Sequence, residues 1–471
     1  MASTYAYRTM DLTADGGYTS RFVFSAWVKR SKLGYANAPL FSLHKNNSNT
    51  ASKINFNFNS SDQLSFTMQD SGGSEDSEYQ TNRVFRDTSA WYHIYFAFNS
   101  TLSTAADRLQ IYVNGVRETS FAQANEVSNG FGALMSSSMD FRIGTMKNNS
   151  GTAYYFDGLM NSAIFTNYQS GTVDPVTDFG EVDSTTGEWK IKVSPDVTYA
   201  SQGVFVLKNG NSLTDQSGQS NNMTVGGTLT KTEDCPSNVF ATMNPLISQT
   251  AGVAGRNNPI DAKFFNGNTT IATSVAYWTP QLGNMEMFSG KYYWEQKFEV
   301  DGTPSNYLSW IGIEATDTAG TNLGSPSATN ANGIAYGTGG VVNKSGSSQS
   351  GSWSTWTAGD IVMCAVDLDN NYIYFGKNGT WQNSGVPTSG GSGTGGVAVT
   401  TGKSYITAST IHRGGNYSIN TTYSYAKSNF GNGYFGTTAV ASAGTNASGN
   451  GIFEYDVPTG YTALSTKGLN L

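Results

Sequence analysis

The stretch "IVMCAVDLDNNYIYFGKNGTW", residues 361–381, decides the fold class. Val366 and Leu368 alternate with Asp367 and Asp369, Asp369-Asn370-Asn371 turns the chain, Tyr372 to Phe375 run back, and Asn378-Gly379 turns it again. Asn and Gly tolerate positive φ, so such clusters between β-formers predict hairpin turns. "RLQIYVNGVRETSF" (108–121) repeats the device far upstream. Each hairpin is expected as an inner pair of strands in a separate sandwich, with Asn-Gly returning the apolar face to the core.

The same alternation runs through the chain. "RFVFSAWVKR" (21–30), "KINFNFNS" (53–60), "QLSFTMQ" (63–69), "AWYHIYFAFN" (90–99), "RLQIYVNG" (108–115), "DFRIGTM" (140–146) and "YYFDGLMNSAIFTNY" (154–168) predict strands. In "KINFNF", Ile54, Phe56 and Phe58 share one face and Asn55 and Asn57 the other, the pattern of an antiparallel sheet packed on one side. A second set follows: "GKYYWEQKFEV" (290–300), "NYLSWIGIEA" (306–315), "NGIAYGTGG" (332–340), "DIVMCAVDL" (360–368), "YIYFGKNG" (372–379) and "SYITASTIH" (404–412). Between them, 171–259 is turn-rich, with a short strand predicted at "GVFVLKN" (203–209). It is expected to be an ordered connector, because Val239, Phe240, Met243, Leu246 and Ile247 need an apolar surface to pack on. The expected organisation is all-β: two antiparallel sandwiches at 1–170 and 260–471, joined by the connector 171–259. No residue-level repeat links the two sets.

Composition agrees. The 471 residues exceed one ordinary core, charged residues are only 13%, and aromatics reach 13% with 26 Tyr and 25 Phe. Net charge is −7, and no Lys/Arg block suggests nucleic acid as a partner. No run of about 20 apolar residues suggests membrane insertion. "MASTYAYRTM" lacks the basic start and apolar core of a secretory leader. Cys235 and Cys364 are expected as free thiols, a disulfide between them being the alternative, and Cys364 as a small buried hydrophobe.

"FSAWVKRSKLGYANAPLFS" (24–42), "WYHIYFAFNSTLSTAADRLQIYVNGVR" (91–117) and "FRIGTMKNNSGTAYYFDGLMNSAIF" (141–165) together resemble the laminin-G-like, concanavalin A-type domain found in many proteins of tailed bacteriophages of aquatic bacteria. "GKYYWEQKFEV", "WIGIEA", "GDIVMCAVDLDNNYIYFGKNG" and "GNYSIN" resemble a SPRY domain. "DCPSNVFATMNPL" (234–246) and the closing "PTGYTALSTKGLN" (458–470) look like segments that recur in the same phage proteins. The resemblance implies two concanavalin A-like, jelly-roll bodies on a virion protein. One departure is that "YSINTTYSYAKSNFGNGYFG" delays the closing strand that a SPRY domain places soon after its "SIN" strand.

Catalytic motifs are sparse. The three histidines, His44, His93 and His412, are too scattered to suggest zinc, and His93 is expected as a strand residue bonded to a neighbour. No G-x-S-x-G elbow or P-loop occurs. Retaining glycoside hydrolysis needs two carboxyls about 5 Å apart. Glu295 and Glu299 share a strand face, yet Lys297 stands where the hydrolases of this fold carry an assisting carboxylate. The two glutamates are therefore expected to line a solvated face. For calcium, "DLDNN" (367–371) supplies too few oxygens, and "SGGSEDSEYQ" (71–80) is expected as an acidic loop. No catalytic residue, metal site or cofactor is expected.

What remains is surface. Trp353 and Trp356 flank a Gly/Ser-rich loop, and with Tyr336, Trp381 and Arg413 they form the expected glycan-binding patch, aromatic faces stacking on sugars. The bland alternative has Trp356 plugging a sandwich end and Trp381 closing a hairpin. The expected function is a non-enzymatic virion protein, a capsid decoration or fibre component, that adheres to host-surface or environmental glycans. Other virion proteins and copies of itself, a trimer foremost, are its expected partners. A purely structural head or tail subunit is the alternative, and a polysaccharide depolymerase the third possibility.

Overall fold

A computed structural model describes residues 4–13, 20–45, 53–69, 75–131, 138–148, 151–168, 171–208, 210–246, 262–274, 279–302, 308–317, 332–412 and 422–470. The chain divides into two compact units, Met1–Lys231 and Thr232–Leu471. Nearly every regular element is a β-strand. No helix among the described residues is long and apolar enough to cross a membrane.

The first unit is a two-sheet sandwich. Its eight-stranded sheet runs, in spatial order, Phe121–Ala124, Glu75–Val84, Gln63–Gln69, Lys53–Asn59, Asn37–His44, Met139–Ile143, Tyr5–Met10 and Thr224–Gly226. Its six-stranded sheet runs Val204–Val206, Gly158–Asn167, Arg21–Arg30, Tyr92–Asn99, Leu109–Val113 and Val116–Arg117. Ile54, Phe56 and Phe58 point into the core, as the alternation requires. Phe96 sits at its centre, with ring centroids 4.8 Å from Phe66, 5.1 Å from Phe56, 5.6 Å from Phe22 and 6.0 Å from Phe41. At one margin the buried Arg30 meets the carboxylate of Asp62 at 2.9 Å, and Asp62 also accepts from Gly34 N at 2.7 Å and Arg86 Nε at 3.1 Å.

The second unit is also a two-sheet sandwich. One sheet has Lys291–Val300, Ile361–Asp367 and Tyr372–Lys377 as neighbours, with Ser424–Asn429 on the other side of Lys291–Val300. The other is ordered Thr279–Met287, Tyr405–His412, Leu308–Ala315, Ile334–Gly337, Val341–Lys344 and Ser347–Ser348. Trp294, Phe298, Ile311, Ile313, Val362, Cys364 and Phe375 fill the space between them.

The two Asn-Gly turns form as expected, with φ of 49° and 76° at Asn114 and Gly115 and 47° and 83° at Asn378 and Gly379. Their place in the sheets differs from expectation. Leu109–Val113 and Tyr372–Lys377 lie near sheet margins, each followed by a two-residue strand, Val116–Arg117 and Thr380–Trp381. So short a return strand adds little pairing surface and lets the sheet end there. Strands at Tyr5–Met10, Asn37–His44 and Glu75–Val84 depart from the expectation, the last taking up residues 75–80 of the expected acidic loop, whose residues 71–74 lie outside the described residues.

The segment expected as a connector is shared between the units. Residues 171–231 belong to the first, where Val176 and Phe179 are buried and Val173, Trp189, Val197 and Tyr199 pack over Val23, Tyr95, Ile164 and Phe205. They cover the outer side of the six-stranded sheet. Residues from Thr232 belong to the second, where Phe240 and Met243 are buried while Leu246, against expectation, is 56% exposed. There Ala241 N donates to Leu464 O and Met243 N to Asn268 O. Ile247 lies outside the described residues.

Candidate functional site

The expected aromatic patch does not form a surface. Tyr336 and Trp356 are 0% and 3% exposed and belong to the second unit's core. The ring of Tyr336 lies 6.0 Å from those of both Trp353 and Trp356, and its hydroxyl donates to Ser354 O. Trp356 meets Phe298 edge-on at 5.9 Å. The structure thus gathers three of the five residues, but as the plug of a sandwich end, with only Trp353 half-buried. Trp381 is half-buried in a different cluster, 6.3 Å from Tyr293. Arg413 lies outside the described residues.

The glutamate pair is corrected as well. Glu295 is fully buried, not solvated. Its Oε1 accepts from Tyr293 Oη at 2.8 Å and Tyr455 N at 2.8 Å, and its Oε2 from Glu454 N at 2.9 Å and Asn429 Nδ2 at 3.4 Å. Burial pushes its carboxyl up to about 7, the four donors holding it from going higher. Glu299 is half-exposed and paired with Lys427 and, at 3.5 Å, with Lys297. Glu295 is walled in by chain and Glu299 is held by ammonium groups, so neither is placed to serve as acid or nucleophile on a bound sugar. Among the described residues, no three His, Cys, Asp or Glu side chains converge on a point that could hold a metal ion.

His93 is the other group with catalytic potential by residue type. Trp189 Nε1 donates to its Nδ1 at 2.9 Å, so the proton sits on Nε2, which donates to Ser25 Oγ at 2.8 Å. That tautomer cannot take the Ser25 proton. The imidazole stacks on Trp27 at 5.0 Å, with Trp189 bonded at its edge 5.8 Å away between ring centroids, and its complete burial pushes its pKa down to about 3. Trp189 closes this stack by lying flat on Gly115, where a Cβ would come within 2.5 Å of its ring. The assembly is a structural pillar.

The outer side of the eight-stranded sheet is open to a ligand at its two ends, its middle being covered where Ser42 is fully buried and its Oγ donates to Thr145 O at 2.9 Å. Residues that alternate with the core positions lie in rows across its strands. One row is Tyr7, Arg142, Ser42, Asn55, Thr67 and Glu78, each the register partner of the next. With strands about 4.8 Å apart, it spans about 24 Å. A second row is Asn57, Ser65, Gln80 and Gln123. Tyr5, Tyr7, Thr67, Glu78, Gln80 and Gln123 are half-buried and form the accessible skin, while Ser42, Asn55, Asn57 and Ser65 are buried among them.

This face is rich in neutral donors and acceptors. Glu78 accepts from Gln80 and Gln123, each at 2.7 Å, which fixes the two amides in place. At the other end Tyr5 and Tyr7 lie 5.7 Å apart, with Tyr155 6.1 Å from Tyr5 and the Arg142 guanidinium 5.2 Å from the Tyr5 ring. Arg142 is neutralised by Asp140 at 3.0 Å, and Asp140 also pairs with Lys147. Both ammonium and guanidinium hold the Asp140 carboxyl below its usual range against the opposing effect of burial. Planar rings at one end and fixed amides at the other match the chemistry of an extended sugar chain, with ring faces for C–H surfaces and amides for hydroxyls. The sequence signalled this face through the Asn and Gln alternating with Phe in 53–69.

A family comparison bears on the first unit. Residues 3–169 are similar to the concanavalin A-like lectin/glucanases superfamily. That span carries a laminin-G-like, concanavalin A-like domain, a lectin/glucanase type of fold compatible with carbohydrate or protein binding. Among solved structures, the SPRY domain of human HERC1 matches at 17% identity, over 40% of this chain and 96% of that one, with a TM-score of 0.28. A heptameric SAP-like pentraxin from Limulus polyphemus matches at 14% identity, over 48% of this chain and 90% of that one, with a TM-score of 0.30. No curated protein matches.

Proposed function

We propose that this chain is a non-enzymatic adhesion protein of a virion surface, whose first unit binds neutral glycans on the outer side of its eight-stranded sheet. The observation that carries this is the contrast between the unit's two sheets. The six-stranded sheet has its outer side covered by residues 171–199. The eight-stranded one presents Tyr5, Tyr7, Thr67, Gln80 and Gln123. Weak contacts of this type reach useful strength through many displayed copies, so self-association, a trimer foremost, and attachment to other virion proteins belong to the proposal. The virion assignment rests on the resemblance of residues 234–246 and 458–470 to segments of tailed-phage proteins.

A non-enzymatic role is supported by the burial of Glu295 and His93 and by the ion pairing of Glu299. The experiment is a glycan array probed with the full chain, repeated with Tyr7→Ala and Thr67→Arg. The proposal expects binding to neutral oligosaccharides that both variants lose. No binding to any glycan, with the same face occluded by neighbouring subunits in intact particles, would favour the purely structural alternative.

A further inference from the structure

The second unit carries a long segment laid over one of its sheets from outside. Phe453, Val457 and Tyr461 are buried against Tyr293, Met363, Ala365 and Tyr374, with Trp381 and Tyr372 at the margin. Phe453 meets Tyr293 edge-on at 4.9 Å. Thr462–Ala463 pairs in parallel with Tyr292 and Tyr293, and Tyr461 Oη donates to Pro387 O at 2.9 Å. Beneath this segment lies Glu295, whose carboxylate takes the backbone N–H groups of Glu454 and Tyr455. Asn429 supports the clasp by donating to Ile452 O at 3.0 Å and to Glu295, while its Oδ1 accepts from Gly431 N and Gly433 N.

We propose that residues 452–463 form a pH-responsive strap, fastened when Glu295 is protonated and loosened when it is ionised, and that loosening uncovers the aromatic face of Tyr293, Met363, Tyr374 and Trp381. Every group within hydrogen-bond distance of this carboxylate is a neutral donor. An ionised Glu295 is therefore a buried charge held by dipoles alone, and release of the strap hydrates it. A protonated Glu295 loses no strap bond. Its O–H donates to Tyr293 Oη, which turns from donor to acceptor at the same 2.8 Å, while both backbone N–H groups stay in place.

The surrounding titratable groups do not reverse this sign. On its own strand Glu295 is followed along the face by Lys297, which pairs with Glu299. Tyr293 and the strap's Tyr455 are both pushed up by burial, so they stay neutral. Cys364, from the neighbouring strand, is pushed up by burial and stays a thiol. Glu454 turns its carboxylate to Ala441 N, and Asp360 pairs with Lys377 at 3.0 Å.

The direction follows from linkage. The closed strap holds the carboxyl at about 7, above the 4.5 of a free glutamate, so acid favours the closed state and its advantage is lost as pH rises through 7. Between pH 5 and pH 8 the opening constant should rise on the order of 50-fold.

Hydrogen exchange of the full chain, corrected for the intrinsic pH dependence of exchange, measures this. Peptides spanning 452–463 are expected to open more readily at pH 8 than at pH 5 in the wild type, and to show no such dependence in Glu295→Gln. Equal opening at the two pH values in the wild type overturns the proposal, as does a pH dependence that survives in Glu295→Gln. If Glu295→Gln does not fold, equal opening of the wild type at the two pH values still overturns the proposal.

Discussion

Mild acid should destabilise the first unit selectively, and two histidines set the size of the effect. His93 is enclosed between Trp27 and Trp189, and His44 is buried with Nε2 2.8 Å from Asn55 Oδ1. Burial pushes them down to about 3 and about 4, with the Asn55 bond partly opposing the shift at His44 and Lys53 and Lys147 adding to it. Both folded values lie below the unfolded 6.5, so the native unit binds fewer protons than the unfolded chain. Stability is full above about pH 7 and falls as pH drops through 6.5. A pH of 5 lies about 1.5 units below the unfolded value of each histidine, a loss of about 2 kcal/mol per group at about 1.36 kcal/mol per unit. About 4 kcal/mol together is a large share of the 5–15 kcal/mol typical of a domain.

The assay is urea denaturation at pH 7.5 and 5.0, with hydrogen exchange assigning each transition to its unit. The first unit's transition is expected to weaken by about 4 kcal/mol, and a His44→Gln, His93→Gln double variant to lose most of that dependence. The strap in the second unit responds in the opposite sense, which separates a specific effect from general acid damage. A first-unit shift below about 1 kcal/mol, or an unchanged shift in the double variant, refutes the reasoning.

Three further outcomes are expected. Phe96→Ala removes a ring that touches four others and should cost the first unit about 4 kcal/mol by urea denaturation, leaving the second unit's transition in place. Asp62→Ala strands the buried Arg30 guanidinium and should cost about 3–5 kcal/mol, more than Asp62→Asn, which keeps acceptor capacity for Gly34 N. Incubation with polysaccharides should release no reducing ends; release that vanishes in Glu295→Gln would show that the strap opens onto a working carboxylate.

Strand type and facing were legible wherever alternation was strict. In "KINFNF", and in the hairpin from Ile361 to Lys377, period two and tight polar turns, with positive φ at Asp62 and Asn371, specify register without help from distant contacts. Strands such as Asn37–His44 escaped notice because "NAPLFSLH" carries a proline and is buried almost throughout, so no alternation shows. The expected patch failed for a related reason. Tyr336, Trp353 and Trp356 look the same in sequence whether a sandwich end leaves them outside or draws them in. Glu295 sits in a polar-looking row with Lys297 and Glu299, and only the strap, arriving from about 160 residues away, makes it buried. Trp189 likewise acquires its role from Gly115 and His93, which are remote in sequence. The amide-rich face was visible in part, since Asn55 and Asn57 alternate with core residues, but its tyrosine end at Tyr5 and Tyr7 was assembled by unpredicted pairing with Met139–Ile143.

The central claim is that the outer face of the eight-stranded sheet is the adhesive surface. Isothermal titration of a neutral oligosaccharide, selected on the array, into the wild type, Thr67→Arg and Trp353→Ala tests it most directly. The account predicts binding by the wild type and by Trp353→Ala, and its loss in Thr67→Arg with the first unit still folded. Binding that persists in Thr67→Arg and disappears in Trp353→Ala would contradict it.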